Sequence, residues 1–388
     1  MRLLDLARLL LATLLFATAS LAFVTAPTHF LWMAAVGVTE LGHMLALICL
    51  GVAVALWSDS WSGRVAVGLS VAAAVVALTP VLRATRVARD LPNQLRAAFG
   101  DAVPIRASPL VFGDLFHGIS PPEVRAESLV YSRIQDQELS LDFYRAQAVG
   151  SAPAVVVIHG GSWQSGDNKD FIPMDLYLAS RGFAVADIIY RLAPRWTFPA
   201  AQDDARAAIA FLRGRADVLK IDPNRIVLLG RSAGGQIALT VAYSAKDPGI
   251  RGVISFYAPS DLRWSWENPG NPLVIDTRAV LTDYLGGNPS EASSNYDAAS
   301  PIRFVTSAAP PTLLLHGGRD ELVSSYQSSR LTERLAEAGV PHLNVCLPWA
   351  THGFDFIFRG PGGQISTYAI EYFLARVTRD LALKRSRL

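Results

Sequence analysis

Charge and cysteine are both scarce in this 388-residue chain. Charged side chains make up 18% of it, below the roughly 25% of an average soluble protein, and the formal net charge is only +2. No basic stripe with interleaved aromatics occurs, which argues against a nucleic-acid partner. The basic run Lys384-Arg385-Ser386-Arg387 reads as a solvated tail. The two cysteines, Cys49 and Cys346, lie in unrelated contexts, one in an apolar run and one in an expected strand, so a structural disulfide is not expected. No metal-ligand spacing is present, and no repeat or low-complexity segment interrupts the chain.

Apolar residues, by contrast, reach 51%, and the excess is concentrated before about residue 83. Three apolar stretches follow one another, Leu9 to Val24, Leu31 to Trp57 and Val65 to Leu82. Each is near or above the roughly 17–25 residues that a bilayer requires. Residues 1–82 are therefore expected to be a multi-pass region of about three transmembrane helices in an inner or plasma membrane. The first stretch has a second reading as a signal peptide, because Arg2 and Arg8 precede it and Ala17-Thr18-Ala19 offers a small-x-small cleavage site. Hydrophobicity continues past that site, which favours an uncleaved span. The side of the membrane is left open: Arg2 and Arg8 favour a cytoplasmic N-terminus, whereas Arg83, Arg86, Arg89 and Arg96 favour a cytoplasmic end for the third span. Three spans cannot satisfy both. Glu40 and His43 would share one helical face, either as a functional pair inside the membrane or at the interfacial end of a span from about Leu41 to Trp57.

Beyond the membrane region, residues 83–124 carry Arg, Asp, Pro and Gly between short apolar pieces and read as a linker and candidate cap. From residue 125 onward, strands and helices alternate. Ser128 to Ile134 and Glu138 to Tyr144 predict a hairpin, and Ala154 to Ile158, Phe183 to Ile189, Ile226 to Leu229, Gly252 to Tyr257, Thr312 to Leu315 and His342 to Leu347 predict further strands. Helical patterns stand at Ala201 to Arg213, Gln236 to Ser244, Ser328 to Ala338 and Ser366 to Asp380. This alternation predicts an α/β fold, a mostly parallel central sheet with helices on both faces, over residues 125–388. The stretch 263–300, rich in Trp, Pro, Asn and Asp, is an insertion of the kind that shapes a substrate site.

Within that pattern, Gly230-Arg231-Ser232-Ala233-Gly234-Gly235 follows the strand Ile226 to Leu229 and opens into a helix. A Gly-x-Ser-x-Gly turn in this setting strains the backbone, lifts the serine hydroxyl clear of the sheet and aims the next helix's N-terminal amides at it. Ser232 is thus a candidate nucleophile, and a nucleophilic serine needs a base and an orienting carboxylate. Of the seven histidines, His29 and His43 lie in or beside the spans, His117 lies in the linker, and His342 begins a strand. His159 and His316 each end a buried strand before a glycine pair, where a ring serves to fix the loop. His352, in a loop between the last strand and the last long helix, remains as the base. Asp320, after the preceding strand, is the carboxylate, with Glu321 as the alternative. The order Ser232, Asp320, His352 is that of an α/β-hydrolase triad. Amides aimed at a developing oxyanion are worth about 3–4 kcal/mol each, and those of Gly161, Ser162 and Ala233 are the candidates. Trp163 and Arg231 are candidate substrate-binding residues. Trp163 otherwise packs its loop, and Arg231 otherwise makes a structural pair.

Five motifs in the same order, His159-Gly160-Gly161, Tyr190-Arg191-Leu192-Ala193-Pro194, Phe198-Pro199-Ala200-Ala201 with Asp203-Asp204, Gly230 to Gly235, and His352-Gly353-Phe354, resemble those of the hormone-sensitive-lipase-like esterases and the related bacterial His-Gly-Gly-Ser-Trp esterases. The resemblance covers about residues 125 to 380 and implies an α/β-hydrolase carboxylesterase for small-molecule or lipid esters that needs no cofactor. Two positions depart from the lipase-like branch. Arg231 stands where an acid is usual, and Ser162 where a third glycine is common, which moves the chain toward the branch with feruloyl-type and formamidase-like members. An arylformamidase is therefore the alternative activity, and a peptidase of the prolyl-oligopeptidase type is disfavoured because no β-propeller precedes the catalytic region. A non-catalytic ligand-binding membrane protein is the alternative of another class. Oligomeric state is not legible.

Overall fold

A computed structural model describes residues 3–102, 104–119 and 124–379. Arg2 and the basic tail Lys384 to Arg387 lie outside the described residues. The chain begins with three long helices, α1 (Leu3–Ser20), α2 (His29–Ala55) and α3 (Trp61–Phe99), followed by the short α4 (Phe112–His117). The remainder runs β1 (Ala126–Ile134), β2 (Gln137–Tyr144), β3 (Ala152–Ile158), α5 (Ile172–Ser180), β4 (Ala184–Ile188), α6 (Ala200–Gly214), α7 (Ala216–Leu219), β5 (Ile221–Arg231), α8 (Ala233–Ala245) and β6 (Ile250–Phe256). An insertion then supplies α9 (Leu262–Glu267), α10 (Thr277–Leu285) and α11 (Ser293–Ala298), before β7 (Thr312–Gly317), α12 (Tyr326–Glu337), β8 (His342–Leu347) and α13 (Pro361–Val377).

The eight strands form one sheet in the order β1-β2-β4-β3-β5-β6-β7-β8. The first two pairings, β1 with β2 and β2 with β4, are antiparallel, and all the others are parallel. The valine run of β3 shows why the central strands are continuous apolar stretches rather than alternating ones. Val156 and Ile158 join the core on the side of α6 and α8, while Val155 and Val157 join the core built with α5, α13 and the end of α3. Both faces are covered, so every side chain is apolar. Each such fully buried residue contributes about 1.5–3 kcal/mol.

The third helix takes a different course from the expected one. It does not stop at Leu82 but continues to Phe99, through the segment expected to be linker. Val81, Ala84, Ala88, Leu91, Leu95 and Phe99 recur at steps of three and four and pack into the sheet's second core. The arginines that ended the apolar stretch stand between them on the opposite face. Phe99 meets Phe373 of α13 edge-on at 4.9 Å. Among the described residues, none of 83–119 lines the cavities at Ser232; those are covered by the 263–300 insertion and by α2.

α1, α2 and α3 pack as a bundle through small side chains, including Ala19, Ala46, Cys49, Ala73 and Ala77. Each is long and apolar enough to cross a membrane. The Ser62 hydroxyl donates to Asp5 at 2.7 Å, which places the start of α1 beside the α2–α3 turn. At the other end, the Arg319 guanidinium donates to the carbonyls of Leu21 and Val24 at 3.1 and 2.6 Å. The start of α1 and the α2–α3 turn thus share the end of the bundle far from the sheet. Glu40 and His43 do not pair with each other. Glu40 accepts hydrogen bonds from the Gly362 amide at 2.7 Å and the Trp349 indole at 3.3 Å, and the His43 ring meets the Leu115 carbonyl at 3.0 Å. Directly after Glu40, α2 bends at Leu41. Cys49 and Cys346 are both free.

The docking of α3 has a measurable energy. Leu91→Ala is expected to destabilise the protein by about 2–5 kcal/mol in a urea melt, through the cavity it leaves. Arg89→Ala, on the solvent face of the same turn, should stay within about 0.5 kcal/mol.

Candidate active site

β5 delivers Ser232 at the sheet's carboxyl edge, and the turn there is forced. Ser232 has φ 52° and ψ −118°, a region that non-glycine residues occupy only under strain. Its flanking glycines are steric necessities. A Cβ on Gly230 would run into the Gly234 carbonyl, and one on Gly234 into the carbonyls of Ile158 and His159. The Ser232 amide donates to Phe256 O at 2.9 Å, which fastens the turn to β6.

The loop after β8 brings His352 over this edge, with its Nε2 3.0 Å from Ser232 Oγ. Nδ1 of the same ring lies 2.7 Å from Asp320 Oδ2. The other carboxylate oxygen of Asp320 accepts from the amides of Leu322 and Val323 at 2.9 and 2.8 Å. Burial alone would raise the Asp320 carboxyl, but the facing His352 and His316 rings hold it at about 2. Glu321, the alternative acid, points elsewhere and accepts from the Ala26 amide at 3.2 Å. His316 fixes its loop by meeting the Val323 carbonyl at 3.0 Å and the Ser328 hydroxyl at 2.7 Å. His159 meets its neighbour's carbonyl at 2.7 Å and stacks on Tyr190 at 4.2 Å.

Opposite the serine, Gly161, Ser162 and Trp163 take successive positive φ values of 107°, 55° and 59°. This loop is held from several sides. The Gln164 and Ser165 amides donate back to Gly161 O at 2.9 and 3.0 Å, and the Ala193 amide donates to Trp163 O at 2.8 Å. Gly160 lets it lie against the serine turn, since a Cβ there would be 3.1 Å from Arg231 O. Among the described residues, the amides of Gly161, Ser162 and Ala233 donate to no protein acceptor. Trp163 is both packed and pocket-lining: it stacks on Tyr284 at 4.2 Å, donates to Gln236 Oε1 at 3.0 Å, and forms part of a cavity beside Ser232.

Arg231 makes a structural pair and also borders the larger cavity at Ser232. It is 1% exposed, its Nε lies 2.5 Å from Asp355 Oδ2, and its guanidinium sits 3.6 Å from the centre of the Phe171 ring. The Tyr257 hydroxyl donates to the same Asp355 carboxylate, and the Tyr257 ring lies 4.2 Å from His352. Sequence reasoning missed Asp355 and Tyr257. The available signal was that an arginine beside a buried serine turn needs an acid, and Asp355 follows His352 by three positions. Of the other motif residues, Arg191 binds Asp204 with its backbone amide at 2.8 Å and with its side chain at 2.9 Å, which locks the loop after β4. Among the described residues no group of three or more His, Cys, Asp or Glu is arranged to hold a metal.

Residues 141–335 match the BD-FAE family model, a stretch that includes Ser232 and Asp320 and stops before His352. The chain belongs to this family. Its fold is the α/β-hydrolase fold, and esterases of the hormone-sensitive-lipase-like group are among its relatives. Esterase LipC of Mycobacterium tuberculosis is 31% identical over 266 residues, covering 62% of this chain and 63% of that protein. The probable carboxylic ester hydrolase LipM of the same organism is 28% identical, covering 61% of this chain and 58% of that protein. The chain thus spans under two thirds of the curated relatives it matches. A solved Pyrobaculum calidifontis esterase aligns at TM-score 0.58 and 26% identity over 66% of this chain and 86% of that one.

The buried Arg231–Asp355 pair yields a test within this family member. Asp355→Ala leaves the guanidinium buried without its carboxylate and is expected to destabilise the protein by about 3–5 kcal/mol in chemical denaturation. The double variant Arg231→Met/Asp355→Leu should regain most of that loss. A double variant no more stable than the single one would show that charge compensation is not what the pair provides.

Proposed function

We propose that this protein is a membrane-anchored serine carboxylic-ester hydrolase. The observation that carries the reading is the unbroken hydrogen-bonded line from Ser232 through His352 to Asp320, at 3.0 and 2.7 Å, facing three amides without protein acceptors. His352 Nε2 takes the Ser232 proton as Oγ attacks the ester carbonyl. The tetrahedral oxyanion is held by the amides of Gly161, Ser162 and Ala233, donors that need no reorganisation because the loop and the helix start are already fixed. His352 then returns the proton to the departing alcohol, leaving an acyl-enzyme that water hydrolyses by the same path in reverse. Asp320 stays ionised throughout and keeps the Nδ1–H tautomer in place. The esterases among the relatives support an ester as substrate.

The anchor rests on α1, α2 and α3. Leu10, Leu14, Leu47, Val54 and Val75 are all more than half exposed on the bundle's outer surface, an apolar girdle that water would not tolerate and acyl chains would. In this arrangement the bundle spans the bilayer and the sheet domain lies at one surface.

A fluorophosphonate probe should label the wild type and fail to label Ser232→Ala; an evidently folded wild type that stays unlabelled would sink the hydrolase reading in favour of a ligand-binding protein. A panel of p-nitrophenyl esters with an N-formyl aromatic amine alongside separates esterase from formamidase. Asp320→Asn should lower kcat by about 10³–10⁴, because the wrong tautomer is held. Asp320 is held at about 2, so it carries its charge at every working pH. The acid limb of kcat/KM should therefore fall with the slope of a single protonation and not of two. A slope of two would contradict the permanently ionised aspartate.

A further inference from the structure

Two cavities meet at Ser232, and their walls differ in origin. The smaller, about 460 Å³, is walled mainly by the 263–300 insertion and the loop after β7, with Ser265, Asn268, Thr277 and Ser324 among its polar groups. The larger, about 820 Å³, is walled on one side by α2 through His29, Trp32, Met33, Val36 and Gly37. Its other walls are chiefly apolar, with Phe171, Val274, Leu322, Phe356 and Ile357 among them.

The first three turns of α2 are fixed to the active-site framework at four points. The Trp32 indole donates to the carbonyl of His352 itself at 3.2 Å. The His29 amide donates to Leu273 O at 3.0 Å, and its ring meets the Val274 carbonyl at 3.3 Å, both in the insertion. At the lower end Glu40 caps the start of α13 through the Gly362 amide at 2.7 Å. A helix held only as an anchor would not need bonds to the histidine loop and to the insertion. Gly37 adds a second line of argument. A Cβ built there has nothing within 4 Å, so no close contact demands glycine. Glycine in a helix interior is nevertheless about 1 kcal/mol worse than alanine, and here it leaves the cavity wall open. Of the cavity's lining residues, Met33 and Phe356 are 59% and 57% exposed, and Phe30 on the same helix is 76% exposed. Beyond Leu41 the same helix continues into the apolar bundle.

We propose that the α2-lined cavity is the subsite for a long hydrocarbon chain of the ester, and that α2 both selects that chain and guides it from the bilayer to Ser232. The substrate class is a lipid ester with one long acyl or alkyl chain and a compact, more polar remainder that occupies the insertion-lined cavity. The inference deepens the hydrolase reading and rests on it. Gly37, Val36 and Met33 are the specificity-determining positions, and none of them touches the reacting atoms.

The test uses the full chain in phospholipid nanodiscs and follows a ratio, kcat/KM for a long-chain ester over that for a short one. p-Nitrophenyl palmitate against p-nitrophenyl acetate places the long chain on the acyl side, and hexadecyl acetate against ethyl acetate places it on the alcohol side. Gly37→Leu, whose Cβ meets no atom within 4 Å, adds bulk at the cavity wall and should lower the ratio about tenfold or more in the series whose chain occupies it, the scale on which pockets discriminate buried methylenes. Gly37→Ala should fall between the wild type and the leucine variant. Ratios equal to the wild type's in both series, including a general loss that affects long and short esters alike, would overturn the proposal, as would a wild type that cleaves only the short esters. Failure of the fluorophosphonate probe to label wild-type Ser232 would instead overturn the hydrolase reading beneath it.

Discussion

The buried ion pair between Arg231 and Asp355 is the constraint on which the active-site geometry depends. One partner precedes Ser232 and the other follows His352 by three positions, so the pair ties the serine turn to the histidine loop across the sheet edge. At 1% side-chain exposure for both residues, desolvation removes much of what attraction supplies. What the pair provides is position. With the Tyr257 hydroxyl on the same carboxylate and the Phe171 ring against the guanidinium, the two loops have few ways to move apart. His352 and Ser232, 3.0 Å apart, stand on the two loops that this clamp joins.

Around the clamp, strain is concentrated where it is useful. Ser232, Ser162 and Trp163 all hold positive φ values, each unfavourable by on the order of 1–3 kcal/mol for a non-glycine residue. The stabilisation comes from the two cores on either side of the sheet, to which β3 and β5 each contribute side chains in alternation. A parallel sheet buried on both faces is rigid enough to carry such turns at its carboxyl edge. The glycines of the serine turn are there because neighbouring carbonyls occupy the space of a side chain, not because the turn must flex.

Much of this was legible in the sequence, because local signals and long apolar strands agree. The strand at Ile226 to Leu229, the turn at Gly230 to Gly235 and the histidine loop at His352 lie where patterning put them, with strand ends shifted by a few residues. The course of α3 was not legible by composition, since arginines on its outer face hide an inner stripe from Val81 to Phe99 that only periodicity exposes. The surroundings of Arg231 required knowing which loops meet. Least legible was the role of α2. Its apolar residues look alike whether they face lipid, a neighbouring helix or a cavity, and Trp32 reaches a carbonyl 320 positions away in the chain. The insertion's three short helices, α9 to α11, were likewise unreadable beyond their length and composition.

The 39 residues of α3 form one helix whose first half belongs to the bundle and whose second half belongs to the sheet's core. At about 1.5 Å per residue it is a strut of roughly 58 Å with no loop between its two halves. On the proposed anchoring, such a strut would keep Ser232 at one fixed height and tilt above the bilayer surface. For substrates dissolved in that surface, the governing concentration is a mole fraction in two dimensions. Turnover would respond to how many inert lipids dilute the ester and hardly at all to how much water surrounds the membrane.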